Sequence, residues 1–337
     1  MKQAFEAAVE GAETDGNALK GVALVREARD GISDHVRSGK EVVAFGNFEG
    51  TLEEASCPVC RPAPPPRLLF RTKHDIGFCQ CAGCETIYAS PRFDEPSLLE
   101  IYENENFKDL SFYENFSFEN WERDRDRTWI VSNLKVQLVK KYLHDGDRVL
   151  DVGGGVGEFC AVAAKSDLRC ESIDASKQLT DIGRRLFGAR VQQAEVEDFD
   201  PGYKFKGIVI WDVLEHLYDP VRVLRNCYRL LEPGGYLFAQ VPNSGGFTNK
   251  LKAFACRAGL SNNEFKHFGF PYHVYFFNRR SLTRLMAAAD LEAIHFESWS
   301  RFMKDNKGGA LTRAFDSVMR KNCLWDYVTV IARKGSS

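Results

Sequence analysis

The sequence predicts an α/β protein whose main part is a Rossmann-like, seven-stranded, mostly parallel sheet with helices on both faces. Two observations predict it. From about residue 146 onward, short apolar runs alternate with helical runs, a pattern that indicates βαβ units and a covered parallel sheet. A glycine-rich turn, GGGVG at residues 153–157, follows the first apolar run. We expect a small cysteine-rich module and helical segments to precede the sheet.

The strands are expected where β-branched and other apolar residues cluster between turn signals. They are 148–152 (RVLDV), 170–174 (CESID), 189–193 (ARVQQ), 206–211 (KGIVIW), 235–241 (GYLFAQV), 291–298 (LEAIHFES) and 326–333 (DYVTVIAR). The helices expected between them are 156–166, 176–187, 219–232 and 279–289.

The chain divides into four predicted segments: an N-terminal helical segment at 1–50, a cysteine module at 51–93, a helical connector at 94–145 and the sheet domain at 146–337. Aromatic residues crowd the connector between residues 102 and 130. They predict either a lid over an acceptor pocket or packing between the module and the sheet.

Composition and charge argue against binding to nucleic acid or membranes and against secretion. The 337 residues are 44% hydrophobic with a net charge of −2, which gives no general attraction to nucleic acid or anionic membranes. No apolar run approaches the roughly 18 residues of a membrane helix, and the N-terminus carries acids where a secretory signal is basic and then apolar. We therefore expect a cytoplasmic protein without membrane association; a homodimer stays open.

Two CxxC pairs lie in the cysteine module, Cys57 with Cys60 and Cys81 with Cys84. This is the spacing of a four-thiolate zinc site, and because protein ligands fill all four positions, the metal would be structural. The alternatives are a redox-active pair, which lacks the usual helical context, or Cys79 as a competing ligand. The remaining cysteines, at 160, 170, 227, 256 and 323, are expected to be small core side chains.

The glycine turn reads GxGxG, with Gly153, Gly155 and Gly157, and Asp151 precedes it. Dinucleotide-binding proteins prefer GxGxxG, and a phosphate-binding P-loop would end in Gly-Lys-Ser/Thr. Asp174 ends the second expected strand, where an acid accepts hydrogen bonds from ribose hydroxyls. That position suits either NAD or S-adenosylmethionine.

The order of VLDVGGGVGEF, SIDAS, EDF, DVLEHL and LEPGGYL resembles the class I S-adenosylmethionine-dependent methyltransferases over about residues 146–337. The cysteine module resembles the zinc ribbon that precedes this domain in bacterial sugar and secondary-metabolite methyltransferases. The resemblance implies that the glycines approach the methionine portion, that the acid after the second strand holds the ribose, and that the adenine lies near the acid after the third. The cofactor-binding residues implied are Asp151, Gly153, Gly155, Gly157, Asp174, Asp198, Phe199 and Asp212.

Methyl transfer requires a positioned nucleophile and a group that removes its proton. The segment PYHVYFF resembles that of zinc-ribbon sugar C-methyltransferases, whose Tyr and His serve proton transfer. Tyr272 and His273 are kept here, but Tyr275 replaces the second histidine. His273, His216 and Tyr272 are therefore the catalytic candidates, without a commitment to C-methylation.

A second resemblance concerns a divalent cation. Ubiquinone-pathway and small-RNA 2′-O-methyltransferases bind a cation through Glu-x-x-Glu-His and a later His, and the match here is Asp212, Glu215, His216 and His273. Aspartate replaces the first glutamate. Leu-Glu-His also occurs in metal-free enzymes of this fold, so a second cation besides zinc is one of two alternatives.

We expect a methyltransferase acting on a small-molecule acceptor of a sugar or secondary-metabolite pathway, with O-methylation favoured and a histidine as general base. One alternative is an RNA methyltransferase whose locally basic zinc ribbon holds the nucleic acid, although no longer basic stripe accompanies it. Another is a non-catalytic scaffold that binds zinc and S-adenosylmethionine. NAD-dependent oxidoreduction is disfavoured by GxGxG.

Overall fold

The computed structural model describes residues 42–45, 48–72, 76–103, 125–188, 191–258, 260, 269, 271–300 and 310–336. The strands of this part are β1 (Val42–Phe45), β2 (Phe48–Glu53), β3 (Arg67–Arg71), β4 (Gly77–Gln80), β5 (Ile87–Ser90), β6 (Arg92–Phe93), β7 (Arg148–Val152), β8 (Arg169–Asp174), β9 (Val191–Gln193), β10 (Phe205–Trp211), β11 (Leu231–Pro242), β12 (Tyr275–Phe276), β13 (Glu292–Trp299) and β14 (Tyr327–Arg333). The helices are α1 (Glu95–Glu103), α2 (Arg125–Val139), α3 (Glu158–Ala164), α4 (Lys177–Phe187), α5 (Pro220–Leu230), α6 (Phe247–Arg257), α7 (Arg279–Ala288) and α8 (Ala310–Lys321).

The largest sheet has seven strands in the order β13-β14-β11-β10-β7-β8-β9. The five strands from β11 to β9 pair in parallel, whereas β14 runs antiparallel to both β11 and β13. The predicted seven-stranded, mostly parallel α/β sheet is therefore confirmed. Its order reverses at β7, and ligands bind open sheets of this kind outside the carboxyl ends of the strands beside that point.

The central strands are apolar because both of their faces are buried. Ile208, Val209 and Ile210 on β10 are all fully buried, as expected for a parallel strand covered by helices. The covering helices begin at local signals. Asp219 caps α5 by accepting from the Arg222 amide across 3.1 Å, and such a cap satisfies an amide that has no partner inside the helix.

The cysteine module is completed by a strand from the sheet domain. Strands β3, β4 and β5 form an antiparallel sheet to which β12 is added, with Tyr275 opposite Tyr88 and Phe276 opposite Ile87. The Arg92 guanidinium lies 4.1 Å from the Tyr218 ring and 5.1 Å from the Tyr275 ring. These contacts join the module to the loops beside the sheet's carboxyl edge.

The N-terminal part differs from its expected helical character. Residues 42–45 and 48–53 form the antiparallel hairpin β1–β2, so the end of the segment 1–50 is β-structure; residues 1–41 lie outside the described part. The connector contributes α1 and α2. Most of the aromatic cluster is at 104–124, outside the described residues, so both interpretations of it, lid and packing, stay predictions.

The structure adds two helices and one covalent bond to the expected elements. Helices α6 and α8 lie where no helix was expected. Cys160 and Cys170, which we expected to be separate core side chains, form a disulfide between α3 and β8. The expectation was wrong because the helix and strand that carry them are neighbours in space, which their sequence context does not reveal. Cys227 and Cys323 are buried free thiols, as expected.

Candidate active site

The glycine turn joins the carboxyl end of β7 to α3. Gly153, Gly155 and Gly157 have φ angles of 69°, 57° and 75°, a left-handed conformation that side chains other than glycine adopt at a cost. Gly157 is the N-cap of α3 and makes no side-chain cap bond. Three left-handed residues within five positions turn the backbone sharply at the carboxyl edge of the sheet. Because all three are glycines, none of them covers this backbone with a side chain.

Asp174, at the end of β8, is held by two backbone amides. Gly155 N–H donates to Oδ2 and Ser176 N–H donates to Oδ1, both across 2.8 Å. Burial raises the pKa of Asp174, and these two hydrogen bonds oppose that rise. The acid and the glycine turn therefore form one connected structure.

Asp151, on β7, is a buried carboxyl beneath the turn. It is 1% exposed, and its Oδ2 atom and the nearby Ser172 Oγ are buried without a hydrogen-bond partner among the residues that the structure describes. Burial raises the pKa of Asp151 to about 7. A Cβ atom on Gly154 would overlap both of these oxygens, so a residue with no side chain is required above them.

The two residues expected near an adenine differ in their surroundings. Asp198 is exposed. Phe199 is 7% exposed, packs in the core and stacks on Phe205 with ring centroids 6.4 Å apart. Its backbone oxygen accepts from Arg229 Nη2 across 3.0 Å.

Asp212 follows β10 with a φ of 59°. Both of its carboxylate oxygens accept from Gln240 Nε2 across 3.1 Å, and Lys135 Nζ lies 3.5 Å away. Gln240 Oε1 in turn accepts from Trp299 Nε1 across 2.6 Å. Sequence reasoning missed Lys135, Gln240 and Trp299, since each lies on a separate element.

A second group of functional side chains lies beyond β10. Glu215, His216 and His273 each offer a ligand atom, and these atoms all lie within 4.8 Å of one another. The two imidazole rings meet edge to face with centroids 4.7 Å apart. The sequence match also predicts Asp212 in this cluster, but in the described structure Asp212 is not part of it. Residues 214–216, which carry Glu215 and His216, form a turn.

Burial controls the charge of this cluster. Glu215 is 2% exposed, and among the described residues neither of its carboxylate oxygens has a hydrogen-bond partner. Desolvation, with the Asp212 charge second, holds its pKa well above the usual range. Desolvation lowers the pKa of His216 to about 4, although the Tyr272 carbonyl lies 3.0 Å from its Nδ1 atom. Burial also raises the pKa of the Tyr272 phenol. A neutral imidazole therefore faces His273.

The four cysteines of the module converge. Cys57, Cys60, Cys81 and Cys84 bring their sulfurs within 4.8 Å of one another, and the Sγ atoms of Cys57 and Cys84 are 3.4 Å apart. The hydrogen bond from Cys57 is the main cause that lowers the pKa of Cys84 to about 5. Cys79 is not in this group. Four soft sulfur donors on two knuckles fit a tetrahedral zinc ion.

Comparison with known proteins identifies the family of this chain. Residues 118–296, more than half of the chain, match the family described as "Methyltransferase domain". A ubiquinone biosynthesis O-methyltransferase of Xanthomonas oryzae pv. oryzae is 35% identical over 106 residues, which cover 29% of this chain and 44% of that protein. One from Coxiella burnetii is 33% identical over 123 residues, covering 34% and 52%. This chain thus spans about half the length of these relatives.

Several solved structures are similar to this chain at low sequence identity. A possible histamine N-methyltransferase of Thermotoga maritima has a TM-score of 0.44 at 20% identity, covering 64% of this chain and 98% of that one. An S-adenosylmethionine-dependent methyltransferase of Archaeoglobus fulgidus has a TM-score of 0.46 at 16% identity, covering 65% and 100%. Among the described residues, no helix combines the length and apolarity needed to cross a bilayer.

Proposed function

This chain belongs to the S-adenosylmethionine-dependent methyltransferases, and we propose that it methylates a hydroxyl oxygen of a small-molecule acceptor. The observation that carries the proposal is the buried cluster of Glu215, His216 and His273 beyond β10. A hydroxyl is a weak nucleophile until its proton is removed, and a neutral imidazole near the reacting atom is suited to remove it. The matched ubiquinone biosynthesis O-methyltransferases support the choice of oxygen.

The cofactor-binding residues proposed are those that form the carboxyl edge around β7 and β8. The left-handed backbone of Gly153, Gly155 and Gly157 leaves room for the amino-acid end of S-adenosylmethionine. Asp174 would accept hydrogen bonds from the ribose hydroxyls, and the exposed Asp198 would lie near the adenine. When bound, the cofactor supplies an electrophilic methyl group on a sulfonium.

We assign a supporting role at this site to three further residues, Asp151, Phe199 and Asp212. Asp151 and Phe199 are buried, so we assign them to shaping the cleft. Asp212 is held between Gln240 and Lys135, which fixes its carboxylate at the cofactor side of the cleft.

His273 is the proposed general base. It is 8% exposed, its backbone N–H bonds to the Gly269 carbonyl across 3.0 Å, and its ring meets His216. His216 is anchored by the Tyr272 carbonyl and orients the His273 ring. Tyr272 is 4% exposed with a phenol that burial keeps protonated, so it serves as a donor rather than as a base.

The same cluster also fits a divalent cation. The Glu215 carboxylate is buried with no hydrogen-bond partner in the part of the chain that the structure describes, and a carboxylate beside two imidazoles is a donor set that suits Mg²⁺, Mn²⁺ or Zn²⁺. Such an ion would lower the pKa of an acceptor hydroxyl that it binds. Glu215, His216 and His273 are the residues that would hold it; Asp212 lies outside this group of three.

For the module, we propose structural Zn²⁺ held by Cys57, Cys60, Cys81 and Cys84. Four protein sulfurs leave no open coordination position, so the ion would have no part in methyl transfer. It would instead hold β3–β5 in place, and these strands carry β12 and thereby the loop with His273.

The experiment is a screen with S-adenosylmethionine carrying a deuterated methyl group, against phenolic and sugar hydroxyl acceptors, with products detected by mass spectrometry. With the acceptor identified, we expect His273→Ala to lower turnover at least about a hundredfold while affinity for S-adenosylhomocysteine changes less than about twofold. His295→Ala is the matched control, since that histidine is exposed and pairs with Glu297 on β13. Full activity of His273→Ala would refute the assignment of the base, and methylation at carbon or nitrogen would refute O-methylation.

A further inference from the structure

A cavity of about 660 Å³ opens beside the carboxyl end of β11, bounded by the cysteine module, α6, α7 and the turn before β14. The described residues that line it are Glu85, Asn243, Gly245, Lys250, Asn278, Arg279, Arg280, Thr283, Arg284, Asn322, Cys323 and Leu324. None of them belongs to the glycine turn or to the histidine cluster. The cavity is therefore a separate site on the same edge of the sheet.

The charge of this cavity is strongly positive. Four of its side chains are cations, Lys250, Arg279, Arg280 and Arg284, against the single carboxylate of Glu85. That carboxylate pairs with Arg280 across 2.8 Å. Four cations against one carboxylate leave the lining with an excess of three positive charges. Among the described residues, neither Lys250 nor Arg284 has an acidic partner.

The backbone adds to the positive potential. Arg279 and Arg280 are the first two residues of the ten-residue helix α7, whose N-terminal end carries the positive pole of the helix dipole. Asn278 fixes that end, because its Oδ1 accepts from the Ser281 amide across 2.9 Å. Asn278 Nδ2 also donates to Glu85 across 3.3 Å. The wall beside the arginines is therefore rigid.

An excess of three positive charges in one concave site attracts anions. Guanidinium groups match the oxygens of a phosphate in pairs, and lysine adds a point charge. The volume falls in the range of small-molecule sites, roughly 300–1,000 Å³. We propose that this cavity binds the phosphate or diphosphate group of a ligand, a function separate from binding of the methyl donor, which carries no phosphate.

The phosphate group can come from a soluble molecule or from a lipid headgroup. Helix α6, which contributes Lys250, also presents Phe247, Leu251 and Phe254, exposed by 58%, 56% and 62%. Their spacing places them on one face of the helix. An apolar face beside a basic cavity is the arrangement of a surface that contacts anionic lipid, so the experiment includes both sources.

The first arm uses inorganic pyrophosphate as the probe, titrated calorimetrically into the full chain at low ionic strength. We expect binding that weakens with added salt. The double variant Lys250→Gln/Arg284→Gln should bind at least about tenfold more weakly, which is a change of about 1.4 kcal/mol. Arg169→Gln/Arg225→Gln is the matched control. It removes the same charge from exposed positions on β8 and α5 and should bind pyrophosphate as the wild type does.

The second arm measures co-flotation with vesicles of phosphatidylglycerol against vesicles of phosphatidylcholine. Weaker pyrophosphate binding by the Lys250/Arg284 variant supports the site with a soluble ligand. Selective loss of phosphatidylglycerol binding in that variant supports it with a headgroup. The proposal is overturned if the wild type binds neither probe, or if the cavity variant and the control bind alike. Affinity for S-adenosylhomocysteine, expected to be unchanged in both variants, verifies that they are folded and keeps this outcome separate from that of the methyl-transfer proposal.

Discussion

The Gly155 amide donates to the Asp174 Oδ2 atom across 2.8 Å, which joins the turn after β7 to the end of β8. Ser176 N–H holds the other carboxylate oxygen at the same distance. The acid proposed to bind the ribose is thereby oriented before any ligand arrives. Pre-orientation of this kind reduces the entropy lost on binding.

Asp174→Ala should weaken S-adenosylhomocysteine binding by about tenfold or more, because hydrogen bonds to a charged group contribute about 1.5–3 kcal/mol. The loss has two parts, the ribose contacts and the anchoring of the turn. Isothermal titration calorimetry measures it. Asp200→Ala is the control, since that carboxylate is exposed and accepts from the nearby Gly202 amide. Equal affinities in the two variants would argue against Asp174 as a ribose ligand.

Gly154→Ala should abolish cofactor binding and lower the free energy of unfolding by about 1–3 kcal/mol. The added methyl group would overlap Ser172 Oγ and the Asp151 carboxylate, so the turn has to move. Gly188→Ala, at the end of α4, meets nothing within 4 Å although its φ is 55°. That control should keep the cofactor affinity. Calorimetry and urea denaturation test both variants.

The buried carboxyl of Asp151 predicts a pH dependence of stability. Its pKa rises from 3.8 to about 7 on folding because burial disfavours the charged form. Between these values the folded state keeps a proton that the unfolded state has lost, so the free energy of unfolding falls as the pH rises from about 4 to about 7.

Asp151→Asn should remove this contribution. Relative to the wild type, the variant should gain stability between pH 5 and pH 8, by about 1.4 kcal/mol for each unit of pH up to the folded-state pKa of about 7. Urea denaturation at the two pH values measures the difference. Asp290→Asn, at an exposed position, should follow the wild-type profile. A constant difference between Asp151→Asn and the wild type would contradict the prediction.

Cys84→Ser should lose bound zinc, whereas Cys79→Ser should retain it. Cys84 lies in the four-sulfur group and Cys79, although close in sequence, does not. Mass spectrometry of the metal content of purified protein should give about one zinc per chain for the wild type and for Cys79→Ser. A zinc content that falls equally in both variants would point to Cys79 as a ligand.

Gly269→Ala should lower turnover by at least about tenfold with little change in cofactor affinity. Its Cβ atom would lie 2.6 Å from His273 Nδ1, so the imidazole has to leave its position, and misplacement of a reacting group by a short distance lowers rates strongly. Gly202→Ala is matched in backbone strain, with φ of 77° against 81°, but meets no atom within 4 Å. Comparable turnover of the two variants would show that strain alone is responsible.

Much of the fold was predictable because its signals are local. Five strands of the main sheet lie within one residue of their expected ends at both termini, among them β7 and β10, since buried parallel strands are continuous apolar runs between turns. Helices α6 and α8 were missed. Each leaves large apolar side chains exposed, Phe254 on α6 and Phe315 on α8.

The sequence by itself determined the glycine turn, the acid after β8 and the two CxxC pairs, because each depends on residue types at fixed short spacings. Only the tertiary structure decided which distant side chains share a site. It placed Asp212 outside the group of Glu215, His216 and His273 and bonded it to Gln240, added β12 to the cysteine module, and brought Lys250 and Arg284 to one cavity. The physical reason is that such neighbours are chosen by the packing of whole elements, and no short stretch of sequence records it.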